Sequence, residues 1–579
     1  MKKRILYGNA NYEEIISKNG YFVDKTHYIE KLENLSNPVF LRPRRFGKSL
    51  WCRILECYYN IRQKDDFERL FGHTYIGKNP TPLRNSFFVL HLDFSVVDPN
   101  GNISYIENSF NHICNTAIQS VLRRYSQWFK DKSVNLKFEN SAAQNINDIL
   151  ALISDFDLPR LYIIIDEYDN FANQLIIARD DKLYRELTAD DGFLKTFFKI
   201  LKEGRKTGAI SNVFITGVLP ITMDELASGF NIAQFISLEP DFEAMLGFTQ
   251  TETDILLDEI YLDYEIEPST RKQIGELIKT HYNGYCFTNC NSEPLYNSTM
   301  LLYFLYWFCN YKNIPKHLTD LNLRTDLSWI RRLTGSNPNC TEEFVNQLTI
   351  NNAIRYDDRF LVTKFDMHQF FHKDFFPVSF FYLGMLTRYD DFYLKLPNLN
   401  MRQIFVEYFN ELHRIDVSTK YAEMMQGFID TLNIYQLFED YWSLYVSQLP
   451  EAIFQKMNEN FYRTTFFELC SRYLSSWFTF NVERSYPQGR SDLEFVGKYH
   501  ERFAGVRIVI EFKYFSNAEL KKMQKTIKNF ELRKEDTVQI AGYVQGLKAE
   551  YPLSEYPNIK ISQYVIYCFG NKGFRVFEV

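Results

Sequence analysis

The chain has 579 residues, 45% hydrophobic and 24% charged, and a formal net charge of −6 at pH 7. A chain of this length is too long to fold around one hydrophobic core, so several domains are expected. The composition is ordinary for a globular protein. Nothing in the overall charge favours a polyanion partner, although a local basic groove remains open. The N-terminus lacks the apolar stretch of a signal peptide, and the longest apolar run, residues 300–309, is about half of a membrane span. We therefore predict a cytoplasmic protein with reduced cysteines and no membrane partner.

A phosphate-binding loop is predicted near the N-terminus. An apolar run, residues 38–41, leads into a short loop that ends in Gly47-Lys48-Ser49, and a helical pattern follows from Leu50. Strand, loop and helix in this order are typical of a P-loop. Gly47 lets the backbone close around an anion, and the N–H groups at the helix start attract a triphosphate. Lys48 is expected to reach the β- and γ-phosphates, and Ser49 to offer its hydroxyl to Mg²⁺.

The loop departs from the usual motif at one position. The first residue of G-x-x-x-x-G-K-[ST] is glycine, whereas here it is Arg42. The loop can still cradle phosphate through Gly47 and the helix start, while Arg44 and Arg45 add positive charge nearby. Because the motif is degenerate, the interpretation of these residues as a P-loop requires support from a second motif.

That second motif ends a predicted strand. Residues 161–165 are apolar and Asp166-Glu167 follows them, which predicts a buried parallel strand with carboxylates at its carboxyl end. In open α/β sheets, ligands bind at this edge. Asp166 is expected to hold the Mg²⁺ shell, and Glu167 is expected to polarise the attacking water.

A third strand is predicted over residues 212–218. Thr216 lies near its end and is either a sensor of the γ-phosphate or an ordinary strand residue. Strands alternating with helices predict a doubly wound P-loop ATPase core over residues 1–235. Residues 236–450 are predicted to be mainly helical, including one helical stretch over residues 401–447, and are interpreted as a lid and spacer.

Beyond residue 450, two paired strands present a set of charged side chains. Asp492 opens one strand, and Glu511 and Lys513 share a face of the next, since residues two apart in a strand point the same way. Two carboxylates and a lysine suit Mg²⁺ and a water that attacks a phosphodiester, with Lys513 orienting or deprotonating the water. Glu459, on the preceding predicted helix, can complete the metal shell. The alternative interpretation is a half-exposed edge strand with a surface ion pair.

A lysine-rich helix is predicted over residues 516–529. Such a charge run is usually a solvated face, but beside a nuclease site it can also hold a nucleic-acid backbone. Gln539 lies on the next predicted helix, one turn from Tyr543, and residues 559–567 and 574–579 are predicted as the final strands.

Two sets of motifs resemble a known domain fusion. Residues 23–26, 41–50 and 165–169 are similar to the AAA-ATPase-like domain of many uncharacterised bacterial proteins, over about residues 5–235. In that family, arginine at the first-glycine position is usual.

The sequence from Gly489 to Asp492, with Glu511 and Lys513, resembles the PD-(D/E)XK nuclease domain that commonly follows it, over about residues 451–579. The resemblance implies that Asp492 and Glu511 bind the metal, that Lys513 is the catalytic lysine, and that Glu459 and Gln539 are the helix acid and glutamine. Serine replaces the proline that the family carries before Asp492, a tolerated variation.

The combined prediction is an α/β protein with a P-loop ATPase domain at 1–235, a helical region at 236–450 and a restriction-endonuclease-like domain at 451–579. We expect ATP and Mg²⁺ as cofactors and ATP-regulated cleavage of nucleic acid, DNA rather than RNA. One alternative is an ATP-switched module that binds nucleic acid or protein through an inactive nuclease fold. Another is a nuclease whose P-loop domain binds ATP but barely hydrolyses it. A homo-oligomer is left open.

Overall fold

The computed structural model describes residues 2–130, 139–189, 192–221, 230–289, 291–318, 326–334, 338–361, 366–499, 501–523, 526–554 and 556–579. Two five-stranded sheets and one three-stranded sheet organise these residues, with helices between them. None of the helices in these ranges combines the length and the apolar content that crossing a bilayer requires.

Five parallel strands form the first sheet: β1 Pro38–Leu41, β2 Phe88–Asp93, β3 Leu161–Asp166, β4 Ile210–Gly217 and β5 Gln234–Phe235. Their order across the sheet is β2-β3-β4-β1-β5. Strands β1 and β3 are buried along their whole length, as expected for parallel strands covered on both faces. The doubly wound parallel sheet predicted from the sequence is confirmed.

The strand order brings the three segments that were predicted to be functional, at the ends of β1, β3 and β4, to one edge of the sheet. Because β3, β4 and β1 are neighbours and run in the same direction, their carboxyl ends meet there. The helices around this sheet are α1 Tyr12–Ser17, α2 Tyr28–Glu33, α3 Lys48–Tyr59, α4 Phe67–Phe71, α5 Tyr75–Lys78, α6 Ile103–Arg124, α7 Ser126–Phe129, α8 Ala142–Asp155, α9 Asn170–Ala178, α10 Asp181–Thr188 and α11 Phe193–Thr207.

The middle region is mainly helical, as predicted. A small antiparallel sheet of order β6-β8-β7 joins β6 Ala353–Arg355, β7 Thr387–Arg388 and β8 Tyr393–Lys395. The helices are α12 Gln250–Asp263, α13 Arg271–Tyr282, α14 Ser298–Tyr311, α15 Asp326–Thr334, α16 Pro338–Asn351, α17 Met367–Phe370, α18 Phe376–Tyr382, α19 Leu399–Leu412, α20 Lys420–Thr431, α21 Ile434–Leu444 and α22 Glu451–Phe454.

The single helical stretch predicted over residues 401–447 is wrong, because α19, α20 and α21 divide it. Leu432 ends α20 in the left-handed conformation, with φ of 54°. Asn433 then caps α21 by accepting a hydrogen bond from the backbone N–H of Gln436. A left-handed residue followed by an asparagine cap makes the chain turn between two helices.

The middle region packs directly on the loop that follows β1. The ring of Phe46 lies edge-on to the rings of Tyr285 and Phe287, with centroid distances of 5.0 and 5.4 Å. Gly384 has φ of 78°, and a Cβ atom there would lie only 2.4 Å from Cβ of Pro43. Any larger residue at this point would therefore push the two segments apart.

The second five-stranded sheet lies at the C-terminal end. It contains β9 Phe478–Tyr486, β10 Gly489–Gly497, β11 Val506–Phe515, β12 Lys560–Phe569 and β13 Gly573–Glu578, in the order β13-β12-β11-β10-β9. Only β11 and β12 pair in parallel among these strands. The helices are α23 Glu459–Leu474, α24 Asn517–Lys522 and α25 Lys534–Glu550. Helices α23 and α25 bury apolar side chains on opposite faces of the sheet.

The continuous lysine-rich helix predicted over residues 516–529 is wrong. Helix α24 ends at Lys522, and a short 3₁₀ helix follows at Ile527–Asn529. Thr526, just before that 3₁₀ helix, has extended backbone angles. Residues 524 and 525 lie outside the described residues.

Candidate functional site

The loop between β1 and α3 has the backbone of an anion-binding loop. Gly47 has φ of 95° and stands at the start of α3, and Arg45 is also left-handed, with φ of 71°. These two turns fold the chain back on itself so that α3 begins at Lys48. Free N–H groups and the positive end of a twelve-residue helix are therefore presented at this point.

A cavity of about 260 Å³ lies in front of this loop. Arg45, Gly47, Lys48, Ser49 and Leu50 line it, together with Glu167 from the end of β3. Its apolar part comes from both sides of the P-loop and includes Phe22, Val23, Ile54, Leu246 and Leu302. An anion-binding end and an apolar end match the two parts of a nucleotide.

Lys48 is held at the inner end of the cavity. Its Nζ atom donates to the backbone carbonyls of Arg42 and Pro43 at 3.1 and 3.2 Å. The same atom is 3.9 Å from Oε1 of Glu167. Glu167 has φ of 51°, and its other oxygen accepts a hydrogen bond from Asn170 at 2.7 Å. A left-handed glutamate beside the lysine that is predicted to bind phosphate is the kind of backbone outlier that occurs at functional sites.

Ser49 and Asp166 meet at the same edge of the sheet. Burial raises the pKa of Asp166, and a hydrogen bond from Ser49 partly opposes this shift. Oδ1 of Asp166 is buried and has no hydrogen-bond partner in the described part of the chain. A serine hydroxyl next to an unsatisfied carboxylate oxygen fits the hard oxygen ligands of Mg²⁺. Cys52 and His91 also have ligand atoms within 4.8 Å of this carboxylate.

Arg42 and two of the predicted cofactor-binding residues do not face the cavity. Arg42 is buried and donates to backbone carbonyls of Leu41, Ser237, Phe242 and Glu243. Arg42 therefore stabilises the loop from the side that faces away from the cavity. The hydroxyl of Thr216 donates to the carbonyl of Phe40 at 2.8 Å, so the structure does not bring this predicted sensor to the described cavity lining. Arg44 is likewise absent from that lining, and its carbonyl accepts from Asn297 at 3.3 Å.

The C-terminal sheet brings the predicted carboxylates together. The pairing of Leu493 with Ile510 in antiparallel β10 and β11 sets Asp492 opposite Glu511. Oδ2 of Asp492 accepts from the backbone N–H of Phe512 at 2.7 Å. Glu459, the first residue of α23, lies close enough that its charge and that of Asp492 affect each other.

Glu511 is the centre of this cluster. Its Oε1 atom accepts from Nζ of Lys513 at 2.8 Å and from Nε2 of Gln539 at 2.7 Å. Its Oε2 atom is buried and has no hydrogen-bond partner among the described residues. The five residues predicted for this site therefore lie in one cluster, to which α25 contributes Gln539: Glu459, Asp492, Glu511, Lys513 and Gln539.

The electrostatics of the cluster favour a bound cation. Burial and the nearby charge of Asp492 raise the pKa of Glu459 to about 7 and that of Glu511 to about 8. Burial also raises the pKa of Asp492. Burial disfavours the charge of Lys513, but Glu511 outweighs this and raises its pKa. Crowded carboxylates with one unsatisfied oxygen are the donor set that a hard divalent cation takes.

Sequence reasoning missed a chain of ion pairs behind this cluster. Nη1 of Arg463 donates to Oδ1 of Asp492 at 2.7 Å, and its Nη2 donates to Glu483 at 3.0 Å. Arg402 of the middle region donates to the other oxygen of Glu483 at 2.9 Å. Glu459 and Arg463 are one helical turn apart, a spacing that could have signalled a shared face. Nothing in the sequence indicates the left-handed φ of 54° at Glu483, which stands opposite Asp492 in the hairpin.

Comparisons with known proteins match both ends of the chain. Residues 6–227 match a family described as predicted AAA-ATPase, and residues 457–578 match the PD-(D/E)XK nuclease superfamily. A curated protein of Azotobacter chroococcum mcd 1, named "Uncharacterized protein in vnfD 5'region", is 24% identical over 320 residues. That match covers 52% of each chain, so this chain spans about half the length of its relative.

Proposed function

Because the chain carries a AAA-ATPase-like domain and a PD-(D/E)XK nuclease superfamily domain, we propose that it binds and hydrolyses ATP and thereby regulates metal-dependent cleavage of DNA. In this proposal, residues 1–235 form the ATPase domain, residues 236–450 the lid and spacer, and residues 451–579 the nuclease domain. The observation that carries the nuclease assignment is the cluster of buried Asp492 and Glu511 with half-buried Glu459, around an unsatisfied carboxylate oxygen.

The nuclease chemistry follows from the donors of that cluster. Asp492 and Glu511 would hold Mg²⁺, with Glu459 completing the set, and the bound cation would make water a better nucleophile and polarise the phosphodiester. Gln539 donates to Oε1 of Glu511, so Oε2, which has no partner among the described residues, would be available to bind the cation. Lys513, ion-paired with the same carboxylate, would orient the attacking water and stabilise charge that develops on phosphate.

The ATP site follows from the P-loop cavity. On nucleotide binding, Lys48 would exchange two loop carbonyls for the β- and γ-phosphates, while Arg45 and the N–H groups of α3 hold the phosphate oxygens. Ser49 and Asp166 would hold Mg²⁺ with the phosphates.

Glu167 completes the proposed ATPase machinery. It lines the cavity and would polarise the water that attacks the γ-phosphate. Its distance of 3.9 Å from Nζ of Lys48 is consistent with both groups meeting the same phosphate.

A continuous set of contacts joins the two proposed sites and supports the proposal that they are coupled. Phe46 of the P-loop packs on Tyr285, next to Asn283 and Gly284. The carbonyl of Asn283 accepts from Asn398, the residue that caps α19. Helix α19 carries Arg402, whose ion pair with Glu483 leads through Arg463 to Asp492. A shift of the loop on ATP binding can therefore be transmitted to a proposed metal ligand.

The test incubates purified protein with plasmid, linear duplex and single-stranded DNA, with and without Mg²⁺ and ATP. We expect Mg²⁺-dependent cleavage that changes with ATP, is lost in Asp492→Ala and Lys513→Ala, and loses its ATP response in Lys48→Ala. Cleavage that is absent throughout, or unaffected by Asp492→Ala, would favour a binding module with an inactive nuclease fold. Phosphate release that is no greater in the wild type than in Glu167→Gln would favour a nuclease that binds ATP but barely hydrolyses it.

A further inference from the structure

A cleft of about 450 Å³, called here the basic cleft, lies between the middle region and the C-terminal sheet. One wall is the end of α13 and the residues after it, a second runs from the end of β8 into α19, and a third is formed by β9 and β10. The charged side chains that line it are Lys279, Lys395, Arg402, Arg484 and Arg490, with Glu276 and Glu483.

Much of this positive charge is not neutralised. Lys279, Lys395 and Arg490 form no ion pair with a carboxylate of the described residues. Arg402 donates through Nη2 to Glu483, but its Nη1 atom is buried and has no partner in the described chain. Burial, with Arg402 and Arg490 nearby, lowers the pKa of Lys395. Glu483 is the nearest carboxylate to Lys395 and Arg490, and it is already paired with Arg402 and Arg463. A buried donor without an acceptor, together with an excess of cations over carboxylates, indicates that an anion belongs in this space.

The acidic residues of the lining do not cancel this field. Glu483 is bound by two arginines, and Arg484 is bound by two glutamates, so these charges are balanced locally. Of the two carboxylates in the described lining, Glu276 is the one that no arginine binds, and it stands against Lys279, Lys395 and Arg490.

A helix end adds to the positive potential. Asn398 and Leu399, at the start of the fourteen-residue helix α19, line the cleft. The positive end of the helix dipole is therefore directed at the same space as the side-chain cations.

The basic cleft adjoins the carboxylate cluster. Arg490 and Asp492 are two residues apart on β10, so they share a face at a separation of about 7 Å. Glu483 lines the cleft and binds Arg463, which binds Asp492. A nucleic-acid strand whose phosphates occupy the cleft would therefore lie about one nucleotide away from the proposed metal ligands.

We propose that the basic cleft binds the phosphate backbone of a single nucleic-acid strand and leads that strand to the carboxylate cluster. This inference rests on the proposed nuclease function and adds the form of its substrate. The cleft volume is within the range of about 300–1,000 Å³ of small-ligand pockets, which suits a nucleotide-sized part of one strand and not the width of a duplex. Lys279 and Arg490 are exposed at its mouth and contact phosphate, while Arg402 and Lys395 hold it inside.

The test measures binding separately from cleavage. Fluorescein-labelled single-stranded DNA, single-stranded RNA and duplex DNA of one sequence are titrated with full-length protein in EDTA, over a series of salt concentrations, and anisotropy gives Kd. The variant is Lys279→Ala/Arg490→Ala, whose two side chains are exposed, so folding is preserved. The matched control is Lys182→Ala/Lys206→Ala, which removes two exposed positive charges from α10 and α11. Cleavage of the same oligonucleotides in Mg²⁺ is scored in parallel.

We expect the cleft variant to weaken single-strand binding about tenfold and to reduce the slope of log K against log salt by about 1.4, since each lost phosphate contact contributes about 0.7. The control should bind as the wild type does, and duplex DNA should bind more weakly than single strands. A cleft variant that keeps the wild-type Kd and salt slope overturns the inference, and so does tighter binding of duplex. If one of these two results is found and the wild type still cleaves DNA in Mg²⁺, the proposed nuclease function stands and only the role of the basic cleft is rejected. If the variant loses binding but the wild type never cleaves, the inference stands and the nuclease function fails.

Discussion

Arg463→Met is expected to make the folded protein depend on Mg²⁺ more strongly. Arg463 and Asp492 form an ion pair at 2.7 Å, with only 9% and 8% of their side chains exposed. Removing one partner of a buried pair costs about 3–5 kcal/mol, because the other charge is left buried and unpaired. Two further carboxylates, Glu459 and Glu511, lie beside that charge and raise the cost in the absence of a cation.

A divalent cation bound at the cluster would replace the lost positive charge. Two unit charges at about 4 Å interact with about 4 kcal/mol at an effective dielectric constant of about 20, so the cation can recover much of the loss. The variant should therefore be destabilised by about 3–5 kcal/mol in EDTA and by at least about 1.4 kcal/mol less in saturating Mg²⁺. The same difference means that the variant binds Mg²⁺ at least about tenfold more tightly than the wild type.

Urea unfolding in EDTA and in Mg²⁺, followed by circular dichroism and tryptophan fluorescence, measures the first quantity, and calorimetric titration measures the second. Arg472→Met is a matched control on the same helix, since Arg472 pairs with Glu468 and Glu407 and does not touch the cluster. It should lose the same stability in both buffers. Equal losses for Arg463→Met in EDTA and Mg²⁺, with unchanged Mg²⁺ affinity, would refute the idea that Arg463 and the cation share Asp492.

Three more outcomes are expected. Glu167→Gln should keep ATP binding but lower the rate of phosphate release by about 10²-fold or more, because it removes the group that is proposed to polarise the attacking water. A rate of phosphate release equal to that of the wild type would contradict this role. Arg42→Met should lower the free energy of unfolding by at least about 3 kcal/mol, because several buried carbonyls lose their hydrogen-bond donor. Chemical denaturation measures this free energy, and a loss below about 1 kcal/mol would contradict the prediction. Burial lowers the pKa of His281 to about 4, and the hydrogen bond to Asn400 only partly opposes this. The unfolded chain, with a pKa of about 6.5, then binds the proton more readily, so stability is lost as pH falls from about 6.5 towards 4, by about 2 kcal/mol at pH 5. Unfolding curves at both ends of this range should be less pH-dependent in His281→Gln; an unchanged dependence would contradict the assignment.

The parts of the ATPase fold that were predictable have local signatures. A buried apolar strand, a glycine at positive φ and a following helix are encoded within residues 38–59, and the Asp166 strand end has an equally local pattern. The orientation of Thr216 was not predictable, because it depends on a register with Phe40 that is set 176 residues away along the chain. The break at Leu432 was also hidden, since leucine carries no left-handed preference and only the packed tertiary structure holds it there.

The carboxylate cluster was predictable to the extent that strand alternation could place its members. Glu511 and Lys513 share a face by period alone, and Asp492 followed from pairing two neighbouring strands. Arg463 and Arg402 were not found because their partner, Glu483, stands in a distorted strand position. Neither residue belongs to a motif.

The arginine that replaces the first P-loop glycine connects the proposed ATP site to the middle region. Arg42 holds the carbonyls of Phe242 and Glu243, and the carboxylate of Glu243 accepts the backbone N–H groups of Phe287 and Thr288 at 2.7 and 2.9 Å. The segment that includes these N–H groups begins at Asn283, in the wall of the basic cleft. A glycine at position 42 has no side chain to donate the hydrogen bonds to Phe242 and Glu243. Arg42 therefore gives the proposed nucleotide loop a rigid connection to the segment that would meet the nucleic acid. The backbone freedom that a glycine would give at position 42 is absent, but Gly47 already provides such freedom within the loop.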